Sequence, residues 1–545
     1  MDHWIVAPVV LPAMLAAFLV LSSRFHLRLQ RVISVAGSAA MLAIALGLFW
    51  QAADGTITLY QLGSWPAPFG IVLVADRLST LMVLVTMLMA PLVLLYAIGS
   101  NWDARGQHFH PLFQFQLMGI AGAFLTGDVF NLFVFFEVLL IASYGLMIHG
   151  GGAERLRAGT QYVLYNLLGS TLFLFALGTI YAQTGTLNMA DLAVRVGALT
   201  QEGNGGIRVA AVLLLLVFAI KAALLPLHFW LPASYALAPA PVAALFAIMT
   251  KVGAYGIIRV YTLVFPPELG IMQGLFGTWL LPAALLTLLV GMIGVLGARR
   301  IDRLVAFSVI GSMGMLLSAV AVFTPTGIAA ALYYAVHSTF ATAALFLLVD
   351  VIESRRGGIG GRLERAAPMA GGALVAGMFF VAAIGMTGLP PLSGYVGKLL
   401  IMTAATTSPL VWWVWGAVLV GSLIAVVGFS RAGSQIFWKA HEAAAELPER
   451  SADPDGNPGL EDGEHNLPPG PRQVAALPLV AIGGLLALLI VMTVAAGPLH
   501  RVMRDTAAQL FDPGPYITTV LQTPGKKIDK STHDTPAASD AGEAH

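Results

Sequence analysis

The chain has 545 residues, 58% of them hydrophobic and only 10% charged. A soluble domain carries about a quarter charged residues, so this is a polytopic membrane protein, and its net charge of +1 says little because the charges lie in loops. With no cysteine, disulfides, cysteine-bound zinc and cysteine-ligated iron–sulfur clusters are excluded. No Walker loop or dinucleotide fingerprint stands in a strand–loop–helix context, so an ATPase or a nicotinamide enzyme is disfavoured and no cofactor is expected.

Apolar stretches near the ~20 residues needed to cross a bilayer fall at 4–22, 32–50, 71–98, 112–127, 129–149, 161–182, 208–227, 240–264, 275–297, 304–323, 327–349, 372–404, 411–437 and 474–496. The fold class expected is therefore all-α, with about fourteen transmembrane helices. The first stretch follows only Asp2 and His3 and precedes Arg24, Arg28 and Arg31. That charge order is wrong for a cleaved signal peptide, so a retained span with its N-terminus outside is expected. The stretches at 71–98 and 372–404 exceed one straight helix and are expected to be tilted or interrupted.

Alternation then places Arg155/Arg157, Arg299/Arg300/Arg303, Arg355/Arg356/Arg362/Arg365 and Arg431/Lys439 inside, while the loops at 51–70, 324–326 and 404–410 are nearly free of Lys and Arg. This follows the positive-inside bias, with Arg501 and Arg504 as exceptions, and sets both termini outside. The acidic, Pro- and Gly-rich segment 440–472 reads as a flexible inside linker. Residues 498–511 are expected to form a short amphipathic surface helix, and the tail after Gln522 to be disordered.

Spans four to eight and nine to thirteen make two sets of five, and an odd number inverts the second set relative to the first. The expected division is 1–111 for the first three spans, 112–264 and 265–437 for the two five-helix repeats, 438–473 for the linker, and 474–545 for the last span and tail. YVLYNLLGSTLFLFALG in span six and LYYAVHSTFATAALFLL in span eleven support the repeat: each has Tyr, a short polar cluster and an apolar run.

Five ionisable residues stand in the middle of apolar runs: Glu137, Lys221, Lys251, His337 and Lys398. A charge at mid-bilayer costs roughly 3 kcal/mol on insertion scales and more in simulations, so packing alone does not account for five. Glu137 is central in span five; desolvation and a neighbouring cation push a carboxyl's proton affinity in opposite directions, so moving one charge switches the other. Lys221 precedes Pro226 and Pro232, which break span seven, and the freed backbone groups call for protein or water partners. Lys251 is central in span eight, with His228 beside the break able to pass protons between it and the inside. His337 is central in span eleven. Lys398 follows the run Gly385, Gly388, Pro390, Pro391, Gly394 and Gly397, which interrupts span twelve as the prolines interrupt span seven. Asp76 and Arg77 are expected to pair with each other, and Arg259 to anchor the outer end of span eight.

The stretch Lys221–Arg259, K-x4-P-L-H-x-W-L-P…A-P-x-P-V-A-A-L…T-K-V-G-A-Y-G-I-I-R, resembles the proton-pumping antiporter-like subunits shared by respiratory complex I, membrane hydrogenases and the Mrp multisubunit cation/proton antiporters. The resemblance extends over spans three to thirteen. The W-L-P-A-S-Y…A-P-A-P-V-A-A-L-F-A wording is most similar to the D-type subunits of the Mrp (Mnh, Pha) group. Departures from the complex I M-type pattern agree: Ser312 stands where that type has a histidine, as does Tyr235, and Lys398 replaces a glutamate.

The resemblance implies two inverted five-helix bundles and a hetero-oligomeric complex with A, B, C, E, F and G subunits. It implies exchange of cytoplasmic Na+, or K+ or Li+, for external protons, with no enzymatic reaction on this chain. It also implies that Glu137 and Lys221 form the key charged pair, with Lys251, His337 and Lys398 continuing a hydrophilic axis. His228, Ser312 and Tyr255 are supporting positions, Ser312 and water bridging Lys251 to His337. The alternative is an antiporter-like membrane-arm subunit of a complex I-type oxidoreductase or membrane-bound hydrogenase.

Overall fold

In a computed structural model, residues 2–21, 25–199, 205–440 and 475–525 are described. The linker expected over 440–472, but for its first residue, and the tail beyond 525 lie outside them. The elements run α1 (Ala7–Leu21), α2 (Leu27–Ala52), the strands β1 (Thr58–Gln61) and β2 (Val72–Ala75), then α3 (Arg77–Gly99), α4 (Phe109–Leu125), α5 (Val129–Met147) and α6 (Ala153–Thr184). A short α7 (Met189–Gly197) leads to α8 (Gly205–Lys221), α9 (Trp230–Leu237), α10 (Ala240–Leu263), α11 (Leu281–Gly297), α12 (Ile301–Val322) and α13 (Pro325–Glu353). The chain continues with α14 (Gly372–Thr387), α15 (Ser393–Ala404), α16 (Val411–Gly433), α17 (Ala476–Val494), α18 (Ala496–Leu510) and α19 (Gly514–Gln522).

Among the described residues, ten helices are long and apolar enough to cross a membrane, and α1 and α14 are shorter apolar helices. They sort by burial. Every residue of α10 is buried, and α12 and α13 are nearly so, whereas α2, α16 and α17 expose long apolar faces. Helices apolar all round belong in the centre, and those with an exposed apolar face meet lipid.

The stretch at 71–98 is interrupted, by a strand before the helix rather than by a break between two helices. Its first residues pair as β2 with β1, antiparallel, from Thr58↔Ala75 to Gln61↔Val72. Asp76 then ends the strand and starts α3, accepting the Ser79 amide at 2.9 Å while the Ser79 hydroxyl accepts the Asp76 amide at 2.9 Å. The start of the new helix is thereby satisfied locally. The 372–404 stretch is interrupted as expected: α14 ends at Thr387, Gly388 adopts a left-handed φ of 76°, and α15 resumes at Ser393. Span seven breaks likewise between Lys221 and Trp230, and each break holds a cis peptide bond before proline, Leu225–Pro226 and Pro390–Pro391. The surface helix expected at 498–511 is α18, and α19 follows it.

The two ends of the molecule differ. At one, Arg155 lies over the Trp102 ring, Trp102 and Tyr96 both donate to Asp350, and Arg300 reaches Asp302 and Glu353. These contacts gather the basic loops onto one face. At the other, His3 packs on Tyr60 of β1, and Gln61 of β1 donates to the Thr523 carbonyl. The first and last described segments therefore share the face opposite the basic loops.

Two expectations about charges fail at that face. Asp76 does not pair with Arg77, and Arg259 is not an interfacial anchor: its guanidinium donates to both carboxylate oxygens of Asp76, at 2.6 and 2.7 Å, with both side chains buried. A cap carboxylate turned inward must be neutralised there, while Arg77 points outward to the Ala53 carbonyl and Asp505.

A row of buried titratable side chains

Glu137, on α5, and Lys221, the last residue of α8, are both held by α6. Glu137 accepts a short hydrogen bond from the Ser170 hydroxyl. Lys221 Nζ donates to Asn166 Oδ1 at 3.1 Å and lies against Gly169. Asn166 and Ser170 are four residues apart and so share one face of α6. The two charges feel each other but form no direct ion pair; a polar helix face stands between them. The Lys221 amine also lies 5.9 Å from the centre of the Phe136 ring, a cation–π contact.

The break after Lys221 leaves backbone groups to be satisfied in the membrane interior. Trp230 Nε1 donates to the Ile220 carbonyl at 3.0 Å, and the Leu225 amide donates to Thr287 at 2.9 Å. His228 lies in the unwound segment with its ring 4.4 Å from that of Phe229; it makes no hydrogen bond to Lys251.

Lys251 comes close to this break because its helix is slim there. A methyl on Gly253 would meet the Ala222 amide and the Phe218 carbonyl within 3 Å, so only glycine lets α10 and α8 approach backbone to backbone. The Lys251 residue is 1% exposed and its amine has no hydrogen-bond partner among the described residues. Beside it is a small cavity lined by Leu78, Met82, Tyr255, Leu316 and Leu332, with room for about one water. Such an amine is stable only when water reaches it or its proton leaves.

His337 and Lys398 meet at the second break. His337 Nδ1 is 2.9 Å from the hydroxyl of Ser393, the first residue of α15. Lys398 Nζ donates to the Thr387 carbonyl, the last of α14, at 2.5 Å, and to Ser422 of α16 at 2.8 Å. The lysine thus occupies the carbonyl that the interruption frees, and His337 lies within the electrostatic reach of both Lys251 and Lys398. Ser312 is buried on α12, which packs on α10 and α13, and Tyr334 lies beside both Ser312 and His337.

The five groups therefore sit on helices that touch in succession: α5, α6, α8, α10, α13 and α15. The structure adds Asn166, Ser170, Tyr334, Thr387, Ser393 and Ser422, the neutral partners of the charges. Asn166 and Ser170 carried a signal in the sequence, a polar pair at helical spacing in an apolar run. The others did not, because hydroxyls and carbonyls are common in any helix.

Gly394 makes the second break possible. A methyl there would overlap the Gly385 carbonyl oxygen and come within 2.9 Å of His337 Nε2. Gly394→Ala should lower stability by about 1–3 kcal/mol, read as a fall in the melting midpoint of the detergent-extracted protein. Gly377→Ala, where nothing lies within 4 Å, should not lower it; equal midpoints for the two would contradict this packing.

Residues 126–425 match the family described as NADH:quinone oxidoreductase/Mrp antiporter, TM. The chain is 37% identical over 557 residues to the D-type subunit of the probable K(+)/H(+) antiporter of Rhizobium meliloti, covering 96% of this chain and 98% of that protein. It is also 37% identical, over 528 residues, to the D-type subunit of the Na(+)/H(+) antiporter of Alkalihalophilus pseudofirmus, covering 96% of this chain and 100% of that one. A chain in the structure of the Mrp complex from Dietzia sp. DQ12-45-1b superposes with a TM-score of 0.83 at 30% identity, covering 96% of this chain and 100% of that chain.

Proposed function

The chain belongs to the NADH:quinone oxidoreductase/Mrp antiporter transmembrane family, and on that premise we propose that it is the D-type subunit of a multisubunit monovalent cation/proton antiporter, the one that moves the protons. The complex exchanges cytoplasmic Na+, K+ or Li+ for external H+ and draws on the proton motive force. The partners are the A, B, C, E, F and G types of subunit in a bacterial plasma membrane. The observation that carries the reading is the succession of packed helices bearing Glu137, Lys221, Lys251, His337 and Lys398, each group buried or partly buried and all in one protein body.

In mechanical form, protons enter one half of the molecule, exchange along the lysines and histidine at mid-depth, and leave through the other half. Ionised Glu137 favours a protonated Lys221, and the polar face of α6 sets how strongly; a change in their separation switches transfer toward Lys251. Ser312 and Tyr334, with water, carry the proton from Lys251 to His337, and Lys398 closes the row.

The arrangement has fourteen crossings: the ten long helices, together with α1, α4, the broken α8–α9 and the broken α14–α15. Spans four to eight and nine to thirteen are the two inverted units, a reading supported by a break and a lysine in each. Both termini face outside, supported by the gathering of basic loops on the opposite face.

The test is proton exchange in everted vesicles from an antiporter-deficient host carrying the complete subunit set, with Na+, K+ and Li+ added separately. At least one cation should dissipate a respiration-built proton gradient. The redox-arm reading predicts the reverse, no response to any cation and proton movement only when a reductant and quinone are turned over.

A further inference from the structure

The central row has a side branch at Lys251. Lys251, Tyr255 and Arg259 are spaced by four residues on α10 and form one stripe along it. The cavity beside Lys251 is also lined by Tyr255 and Ile258. Arg259 Nε lies 3.3 Å from the Tyr255 hydroxyl, which donates to the Phe124 carbonyl at 2.6 Å. Arg259 then holds Asp76. Past the ion pair is a second small cavity, lined by Asp76, Arg259, Thr262, Gln509 and Tyr516, at the face where α18 and α19 sit. The Arg259 guanidinium lies between two tyrosine rings, 5.6 Å from the centre of Tyr255 and 5.4 Å from that of Tyr516. The Tyr516 hydroxyl is buried and has no hydrogen-bond partner among the described residues.

We propose that this stripe is a gated proton passage joining Lys251 to the face covered by the C-terminal helices, with the Asp76–Arg259 ion pair as its gate. The inference rests on the proton-carrying reading above. A staple between α3 and α10 needs only the ion pair. It does not call for a cavity on each side, a hydroxyl linking the pair to the lysine, or an unpartnered phenol facing the far cavity.

In the closed state, Arg259 neutralises the Asp76 carboxylate. When the guanidinium swings toward the Tyr516 ring, the carboxylate is free. An external proton then binds Asp76 and passes by way of the Tyr255 hydroxyl, which accepts one proton as it donates its own, and over cavity water to the neutral Lys251 amine. The lysine becomes the ammonium, and passing its proton on to the row restores the amine and completes the cycle. Asp128 near Tyr516, and Asp54 and Asp505 near Arg77, are further acids at the far end.

The passage is tested in everted vesicles holding the complete complex, with rates normalised to assembled protein. Tyr255→Phe keeps the ring and removes the relay. Cation-driven proton flux should fall about tenfold or more, with the half-saturating cation concentration unchanged and only the small fall in melting midpoint that losing the Phe124 hydrogen bond brings. An unchanged flux overturns the proposal, and so does a failure of the complex to assemble, which would mark Tyr255 as structural. The variant Arg259→Gln, which leaves the Asp76 carboxyl free as in the open state, should let an imposed proton gradient collapse faster without cation; a tight, fully active variant overturns the gate. If this variant does not assemble, the Tyr255→Phe flux decides alone. Lys251→Met run alongside separates the two readings: an active Lys251→Met sinks the row itself, while an inactive Lys251→Met beside a fully active Tyr255→Phe sinks only the passage.

Discussion

Glu137→Gln and Lys221→Ala should each reduce cation-driven proton exchange at least about 100-fold, a loss on the scale of removing a positioned proton-transfer group. Both should leave the complex assembled. Glutamine keeps the volume of Glu137 and an oxygen for the Ser170 hydroxyl, so the local packing survives while the titrating charge is lost. Removing the Lys221 amine frees Asn166 Oδ1, but Asn166 still donates to the Tyr162 carbonyl at 2.8 Å and stays anchored. The size of the effect follows from electrostatics. At an effective dielectric near 20, two unit charges about 4 Å apart interact by about 4 kcal/mol, and the interaction falls as they move apart. Because Asn166 and Ser170 hold the partners apart, this coupling is set by α6, and small motions of that helix change it. Vesicle assays normalised to the amount of assembled complex check the point; full exchange in either variant contradicts the role of the pair.

The site was more legible in the sequence than the surroundings that tune it. Glu137, Lys221, Lys251, His337 and Lys398 stood out because a charge in an apolar run has no inexpensive alternative. The breaks near Pro226 and Pro391 were visible for a backbone reason, the lost amide donor and the glycines beside them. What the sequence left hidden is long-range. Asp76 and Arg259 are 183 positions apart, and nothing local distinguishes a carboxylate that caps a helix from one that also neutralises a distant arginine. The β1–β2 hairpin was hidden for another reason. Val72–Ala75 is a short apolar run directly before an apolar helix, and apolar runs of that length carry no period by which strand and helix differ. Asn166 and Ser170 sat in plain view, but their position between two charges is a property of three helices at once.

The same contrast separates function from stability. Arg31 and Asp103, in contact at 2.6 Å, are charges whose partners are fixed, and removing one leaves the other uncompensated. Lys251 is the opposite case. It is buried, it has no partner among the described residues, and its four-carbon stem fills a space that methionine also fills. An unpaired buried amine destabilises the fold, and a protein that keeps one does so for what the amine does.

Lys251→Met is therefore the measurement that tests the account most directly, because function and stability should move in opposite directions in one sample. With the charge gone and the volume kept, the melting midpoint of the purified complex should rise, by an amount corresponding to at least about 1 kcal/mol. Cation-driven proton exchange by the same complex in vesicles should fall to background. A variant that is more stable and still exchanges protons at the original rate would show that Lys251 carries none of them, and the row would no longer be the path.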